Sequence, residues 1–187
     1  MRNLWVACSL PPHLLQVPRD RRVPMSDINV QSLLGNWNIL ATTLTFWRGK
    51  HGPKVTYREL GDARWLDTIQ WTNKRGTSRS LSGINRLSTD LKAPATSCNF
   101  AWRGKGVMMW ITSEWRFVAV APDGQWAVTW FSQATLGVTP AGMDVYARDG
   151  QLPELREVNG SLDEGVRALL RDVPNVPPFS GFYRTLR

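Results

Sequence analysis

Between Trp37 and Ala147 the chain is a succession of short, strand-like runs separated by turn chemistry, with no helical period between them. The runs are Trp37–Trp47, Lys54–Leu60, Arg64–Thr72, Arg79–Ser88, Thr96–Trp102, Val107–Thr112, Trp115–Ala121 and Gln125–Ser132, with Gly142–Ala147 a candidate ninth. The breaks between them are "RGKHGP", Gly61-Asp62, "NKRGTS", Gly104-Lys105-Gly106 and Pro122-Asp123-Gly124. In the last of these, proline presets φ, aspartate bonds the local backbone and glycine accepts φ > 0. Gly104-Lys105-Gly106 reads as a tight hairpin into Val107–Thr112. Parallel pairing needs long crossovers, so these connections demand antiparallel neighbours. Short turns between sequential strands favour an up-and-down barrel, which also removes sheet edges. The expected fold is therefore all-β, an antiparallel barrel of eight or nine strands.

The flanks differ from this pattern. Ser161-Leu162-Asp163-Glu164 is a capping box that opens a helix predicted over 161–173. Its apolar face is Leu162, Val166, Leu169, Leu170 and Val173, and Pro174, Pro177 and Pro178 stop it. Phe179–Leu186 is expected to lie on the same outer wall. Upstream, Ser26 or Asp27 can cap a short helix carrying Ile28, Val30, Leu33 and Leu34, which Gly35 ends. Residues 25–187 then form one barrel domain. Residues 1–24 hold apolar clusters, among them Leu4, Trp5, Leu10, Leu14 and Leu15, broken by four prolines. Three readings of this segment stay open: a start misplaced ahead of Met25, a disordered leader, or a lid that docks its apolar residues on the barrel.

Composition narrows the class. The 187 residues suffice for one domain with a sizeable core. With 42% hydrophobic and 20% charged residues the chain is an ordinary globular one. No apolar run reaches the roughly 18–20 residues of a membrane span, so no membrane partner is expected. The net charge is +8 and the pI about 10.2, but the excess is mostly arginine scattered singly, which reads as a solvated surface. Nucleic acid is accordingly not an expected partner. Cys8 and Cys98, with His13 and His51, make no metal-ligand spacing, so no metal site is expected. The apolar stretch between Arg2 and Cys8 is too short for a secretion signal, and the expected location is the reducing cytoplasm.

Ten tryptophans against three tyrosines point to an interior lined with large flat surfaces. Alternation assigns inward positions. Trp37, Ile39, Ala41, Thr43 and Thr45 form one such set. The others are Val55 and Tyr57; Trp65, Ile69 and Trp71; Phe100 and Trp102; Val107, Met109 and Ile111; Trp115, Phe117 and Ala119; and Trp126, Val128 and Trp130. A single bulge would invert any later set. The candidate ligand-contacting residues are Tyr57, Trp65, Trp71, Asn85, Phe100, Trp102, Met109, Trp115, Phe117, Trp126 and Trp130. Three polar residues at inward parity, Asp67, Glu59 and Thr43, are the candidates for chemistry. Asp67 stands between Trp65 and Ile69, where a carboxylate needs a partner or a raised pKa; the alternative is a rim position paired with a surface arginine.

Gly35-Asn36-Trp37 opens the first strand after one helical turn, and "WRFVAVAPDGQWAVTWFS" at Trp115–Ser132 has the layout of paired late strands. With the final helix, these features resemble the lipocalin-like (calycin) barrels from about Asp27 to Val173. Within that group the chain is similar to the small [4+2] cyclases of polyketide pathways that form spirotetramates and spirotetronates. The resemblance implies a lid at the N-terminus, a hydrophobic polyketide-derived substrate, no cofactor and an isomerising cyclisation. No nucleophile triad or phosphate loop is present. A cycloaddition needs neither, only a prefolded substrate and a donor or two on the acceptor carbonyl. Two other readings stand beside it: a non-catalytic lipocalin-like carrier of a hydrophobic molecule, and a nucleic-acid-binding barrel. A homodimer is compatible with all three.

Overall fold

A computed structural model describes residues 30–87, 99–152 and 154–186. Eight antiparallel strands close on themselves: β1 (Gly35–Thr42), β2 (His51–Gly61), β3 (Arg64–Thr72), β4 (Ser78–Leu87), β5 (Asn99–Gly104), β6 (Thr112–Val120), β7 (Trp126–Phe131) and β8 (Gly142–Ala147). Each pairs with its sequence neighbour, and β1 joins both β8 and β2 to complete the wall. The expected up-and-down barrel is thus the observed one. A short helix, α1 (Leu162–Leu169), and a two-residue strand, β9 (Tyr183–Arg184), follow.

The wall is closed in two ways along its height. At one end β1 pairs with β2, from Gly35↔Tyr57 to Asn38↔Lys54. Further along, β1 turns from β2 to β9, pairing Ala41 with Arg184 and Thr42 with Tyr183. Leu186 then bridges to His51 on β2, and its carbonyl accepts from the Gly52 amide at 2.8 Å. The C-terminal stretch is therefore part of the wall.

The end at which β1 begins is plugged. A 3-10 turn, Val30–Leu33, crosses it, and the Trp37 indole N–H donates to the Leu33 carbonyl at 2.9 Å. The Arg148 guanidinium lies 3.6 Å above the Trp37 ring and donates to the carbonyls of Asn36 (2.9 Å) and Ser32 (2.6 Å). Gly35 has φ +93°, which a side chain would strain, and a Cβ there would come within 3.2 Å of that guanidinium. The Gly-Asn-Trp triplet is the seat of a latch that ties the entry of β1 to the exit of β8.

A second layer covers the outside of β1, β6, β7 and β8. Ser161 caps α1 by accepting from the Glu164 amide at 3.3 Å, and the Glu164 carboxylate pairs with Arg167. Leu162, Val166 and Leu169 of α1, with Leu155, Leu170 and Phe182, pack on Ala41, Val118, Ala119, Val128, Met143 and Val145. The Asp163 carboxylate accepts from the amides of Gly181 (2.8 Å) and Phe182 (2.7 Å), which fixes the returning tail.

Three expected elements differ. The helix ends at Leu169 rather than Val173. The first strand stops at Thr42, and Thr45–Trp47 is a 3-10 turn. Val107–Thr112 is not a strand: Gly106–Met108 is a 3-10 turn, and Thr112 opens β6. The Met108 carbonyl sits where a Cβ of Gly104 would be, at 2.3 Å, so the segment folds back over the wall instead of extending it. Residues 1–24, with the lid positions Leu4, Trp5, Leu10, Leu14 and Leu15, lie outside the described residues, as do Ser26 and Asp27.

Replacing Arg148 with alanine exposes the Trp37 face and leaves two carbonyls without their charged donor. The expected loss is about 2–3 kcal/mol of unfolding free energy. Urea denaturation with an unchanged m-value would show it, and Arg148→Lys should recover only a minor part, since one ammonium cannot both cover the ring and span two carbonyls.

Candidate functional site

The interior is divided by height. Near the plugged end, aromatic rings fill it: Tyr57 stacks on Trp115 (centroids 5.2 Å, 12° between planes), Trp115 on Phe100 (4.5 Å, 17°), and Trp65 packs against Phe100 at 4.7 Å. Trp37 and Phe117 complete this packed half. Towards the other end the filling stops, and a cavity of about 120 Å³ opens to the outside. Its walls are apolar and include Ile39, Phe46, Trp47, Trp102, Met108 and Ile111. At its mouth Trp47, Phe46 and Trp71 meet edge to face, and the Lys50 ammonium lies 3.7 Å over the Phe46 ring. The space fits one or two rings of a ligand, below the roughly 300 Å³ at which enclosed pockets for drug-sized molecules begin.

The floor between packed half and cavity is polar. On one wall stands Asp67 of β3, 6% exposed, with Tyr57 opposite it on β2 and Gly83 opposite it on β4. Glycine is required at 83, because a Cβ would lie 2.1 Å from the Trp102 Nε1. That indole lies across Gly83 and turns its N–H towards the carboxyl. On the facing wall stands Asp144 of β8, 1% exposed, flanked by Thr42 of β1 and Thr129 of β7. Its Oδ2 accepts from the Trp47 indole at 3.3 Å. Tyr57 and Tyr146, both buried, also line the cavity at this level, and each influences the ionisation of the other.

Among the described residues, no lysine, arginine or histidine lines the cavity. Burial accordingly pushes the Asp67 carboxyl up to about 7, against a smaller opposing effect of Asn85 and Trp102. Burial likewise raises Asp144 to about 7, opposed by Thr42 and Trp47. Both tyrosines are held well above the ordinary phenol value, first by burial. Asp67 Oδ1, Asn85 Nδ2, Trp102 Nε1 and Asp144 Oδ1 are buried and make no hydrogen bond of good geometry. Buried polar atoms rarely go unpaired, and three of these, on Asp67, Trp102 and Asp144, belong to residues that line the cavity.

The sequence-derived candidates separate into two sets. Asp67, Tyr57, Trp102 and Trp115 line the cavity. Trp65, Phe100 and Phe117 lie in the packed half, Trp71 at the mouth, and Asn85 accepts from the Trp115 indole at 2.7 Å. Glu59 is not inward: it lies exposed beyond the plugged end, accepting from Gln31 at 3.0 Å. The Thr43 hydroxyl is spent on the Met143 amide at 2.8 Å, continuing the β1–β8 pairing. Met109 is half-exposed on the turn that replaces the expected strand, and Met108 takes the inward place. Trp126 and Trp130 pack on the outer face against the layer under α1, while Ala127, Thr129 and Phe131 are the inward set of β7. Ala41 and Ala119 are also outward, because β1 shifts register between Ile39 and Ala41 and β6 between Phe117 and Ala119.

Asp144 and Tyr146 were not among the candidates. The signal for them was one aspartate inside the apolar run "GMDVYA", whose alternate residues Asp144 and Tyr146 share a face.

No family model matches the chain, and no curated protein matches it. Solved structures do. Apocrustacyanin C2 superposes with a TM-score of 0.57 at 10% identity, covering 92% of this chain and 93% of that one. Lobster apocrustacyanin A1 gives 0.54 at 11% identity over 85% and 79%. H1 crustacyanin from the lobster Homarus americanus gives 0.53 at 13% identity over 92% and 93%. These are lipocalin-type barrels, and at such identities the likeness is one of fold: the chain has a calycin-like architecture.

Proposed function

We propose that the open end of this barrel takes up a hydrophobic, unsaturated small molecule and acts on it as a cofactor-free cyclase. The proposed reaction is an intramolecular [4+2] closure of a polyketide-derived tetramate or tetronate. The observation that supports it is the pair of carboxyls, Asp67 and Asp144, each largely protonated below about pH 7 and each with an unpaired Oδ1 at an apolar cavity. A protonated carboxyl donates to an acceptor carbonyl without placing a charge in a dry site. In such a closure two carbon–carbon bonds form from a diene and an alkene, and nothing is added or lost. Hydrogen bonding to the carbonyl on the alkene withdraws electrons from it and lowers the barrier. Aromatic walls hold the reacting ends together, and the cavity accommodates that part while the remainder of a long substrate extends through the mouth.

Met1–Pro24 remains the proposed lid. The described chain enters at the plugged end, so the segment would have to run back along the wall. Twenty-four residues reach up to about 80 Å when extended, and nine-residue strands such as β3 and β6 span only about 30 Å. A second reading, uptake without conversion, is supported by the small cavity volume, which suits holding a ring more readily than folding a chain.

Incubation with a linear tetramate bearing a diene and an exocyclic alkene, followed by LC–MS, separates the two. The expected result is a product of unchanged mass, absent with boiled protein and reduced on deleting Met1–Pro24. Asp67→Asn and Asp144→Asn should each slow turnover by about 10- to 100-fold. Substrate recovered intact but bound would establish the second reading. Turnover should fall as pH rises through about 7, because the donating proton is lost; a rate flat from pH 6 to 8 would remove the carboxyls from the mechanism.

The same groups set the stability profile. Their folded-state values are raised above the unfolded one, so their contribution is complete below about pH 4 and is lost as pH rises to about 7. The Asp67→Asn/Asp144→Asn double variant should flatten the fall of unfolding free energy over that interval in denaturant titrations.

A further inference from the structure

We propose that the open end of the barrel docks on an anionic lipid bilayer, with Val107, Trp110 and Leu136 entering the interface and the surrounding lysines and arginines meeting the phosphates. This goes beyond the reaction proposed above and does not depend on it. Four connections frame the mouth, residues 43–50, 73–77, 105–111 and 132–141. Five of the eight exposed large apolar side chains among the described residues lie on the last two. Val107 is 96% exposed, Leu136 80% and Trp110 73%, with Met109 and Val138 about half-exposed beside them.

These tips are held in place. The Thr135 hydroxyl accepts from the Thr112 amide at 2.9 Å and donates to the Trp110 carbonyl at 3.2 Å, locking one loop to the other. The Ile111 carbonyl accepts from Gly104, which pins the 105–111 loop to the wall. Leu136 has φ +62°, a conformation leucine rarely adopts, and its side chain points into solvent. Backbone strain that presents an apolar side chain to water has no return within the fold, and such strain collects at functional surfaces.

The charge of this end matches an anionic surface. The four connections contain Arg48, Lys50, Lys74, Arg75 and Lys105 and no aspartate or glutamate. At the opposite end the β2–β3 and β6–β7 turns carry Asp62 and Asp123. The apolar side chains stand on two loop tips and not on a helix or sheet face. A bilayer accepts such tips without shape complementarity, whereas a protein partner requires it. Among the described residues no helix is long and apolar enough to cross a membrane, and this docking needs none. Both loops contribute to the cavity wall, through Met108, Ile111, Ala134 and Val138, so a hydrophobic ligand could pass between bilayer and barrel without crossing water.

The test is flotation of the full chain with phosphatidylcholine vesicles, with and without phosphatidylglycerol, at low and high salt. The expected result is co-flotation with the anionic vesicles only, lost at high salt. The Val107→Ser/Trp110→Ser/Leu136→Ser variant should lower the bound fraction roughly tenfold. Lys74→Ala/Arg75→Ala/Lys105→Ala should remove the preference for phosphatidylglycerol. Circular dichroism of both variants should match the parent, since every changed side chain is exposed. No flotation of the parent with anionic vesicles at low salt overturns the proposal. Flotation unaltered by the serine variant also overturns it, leaving unspecific charge attraction. So does a parent dimer that the serine variant turns into a monomer with neither floating, which makes the face a contact between copies.

Discussion

The packing of Arg148 over Trp37 is the contact on which the barrel depends. A sheet closed on itself has two open ends, and an interior of aromatic rings keeps out water only if one of them is sealed. Trp37 fills the axis at that end, its N–H satisfied by Leu33, and Arg148 covers the outer face of the ring while bonding the backbone on either side of Gly35. The two residues stand at the start of β1 and just past the end of β8, so the latch also pins the seam where first and last barrel strands meet. Among the described residues, sealing one end leaves the other as the way in.

With that end closed, the stack of Tyr57, Trp115 and Phe100 fills the lower interior and sets the depth of the cavity. The polar floor rests directly on this stack. Asp67 and Asp144 carry a cost there, since burial without a cation removes hydration that neighbours such as the Trp47 indole replace only in part. Protonation limits the cost and changes the chemistry: a buried carboxylic acid is a donor where a carboxylate is only an acceptor. The glycine at 83, which leaves room for the Trp102 indole, is an instance of main-chain economy serving the site. The binding end and the docking end coincide, and the strained Leu136 stands beside the cavity mouth.

How much was legible depended on whether a strand has one wet face. In β2 and β3, alternation distinguished inside from outside, and Tyr57, Trp65 and Asp67 fell on the inward side as expected. In β7 it could not, because α1 and the tail cover its outer face. Trp126 and Trp130 there are as apolar as Ala127 and Phe131 inside, so side-chain size pointed the wrong way. Bulges after Ile39 and Phe117 reversed Ala41 and Ala119, and a bulge has no dependable mark in composition. The segment after Gly104 looked like a strand because Val107, Met109 and Ile111 alternate; Val107 and Met109 belong to a turn that carries them outward, and Ile111 lines the cavity. Asp144 was hidden by the brevity of its strand, since six residues give alternation little to work with.

By itself the sequence determined the class of fold: period-two runs, turns too short for crossovers, one capped helix and a Gly-x-Trp entrance admit little but an up-and-down barrel. These are local properties, set by backbone conformation and by which residues tolerate a turn. Only the tertiary structure decided which tryptophans face the lumen, that the barrel is half filled, and that Asp67 and Asp144 line one cavity. Those outcomes depend on register, bulges and the layer packed outside, which are relations between residues as far apart as Thr42 and Asp144 and have no local signature in the chain.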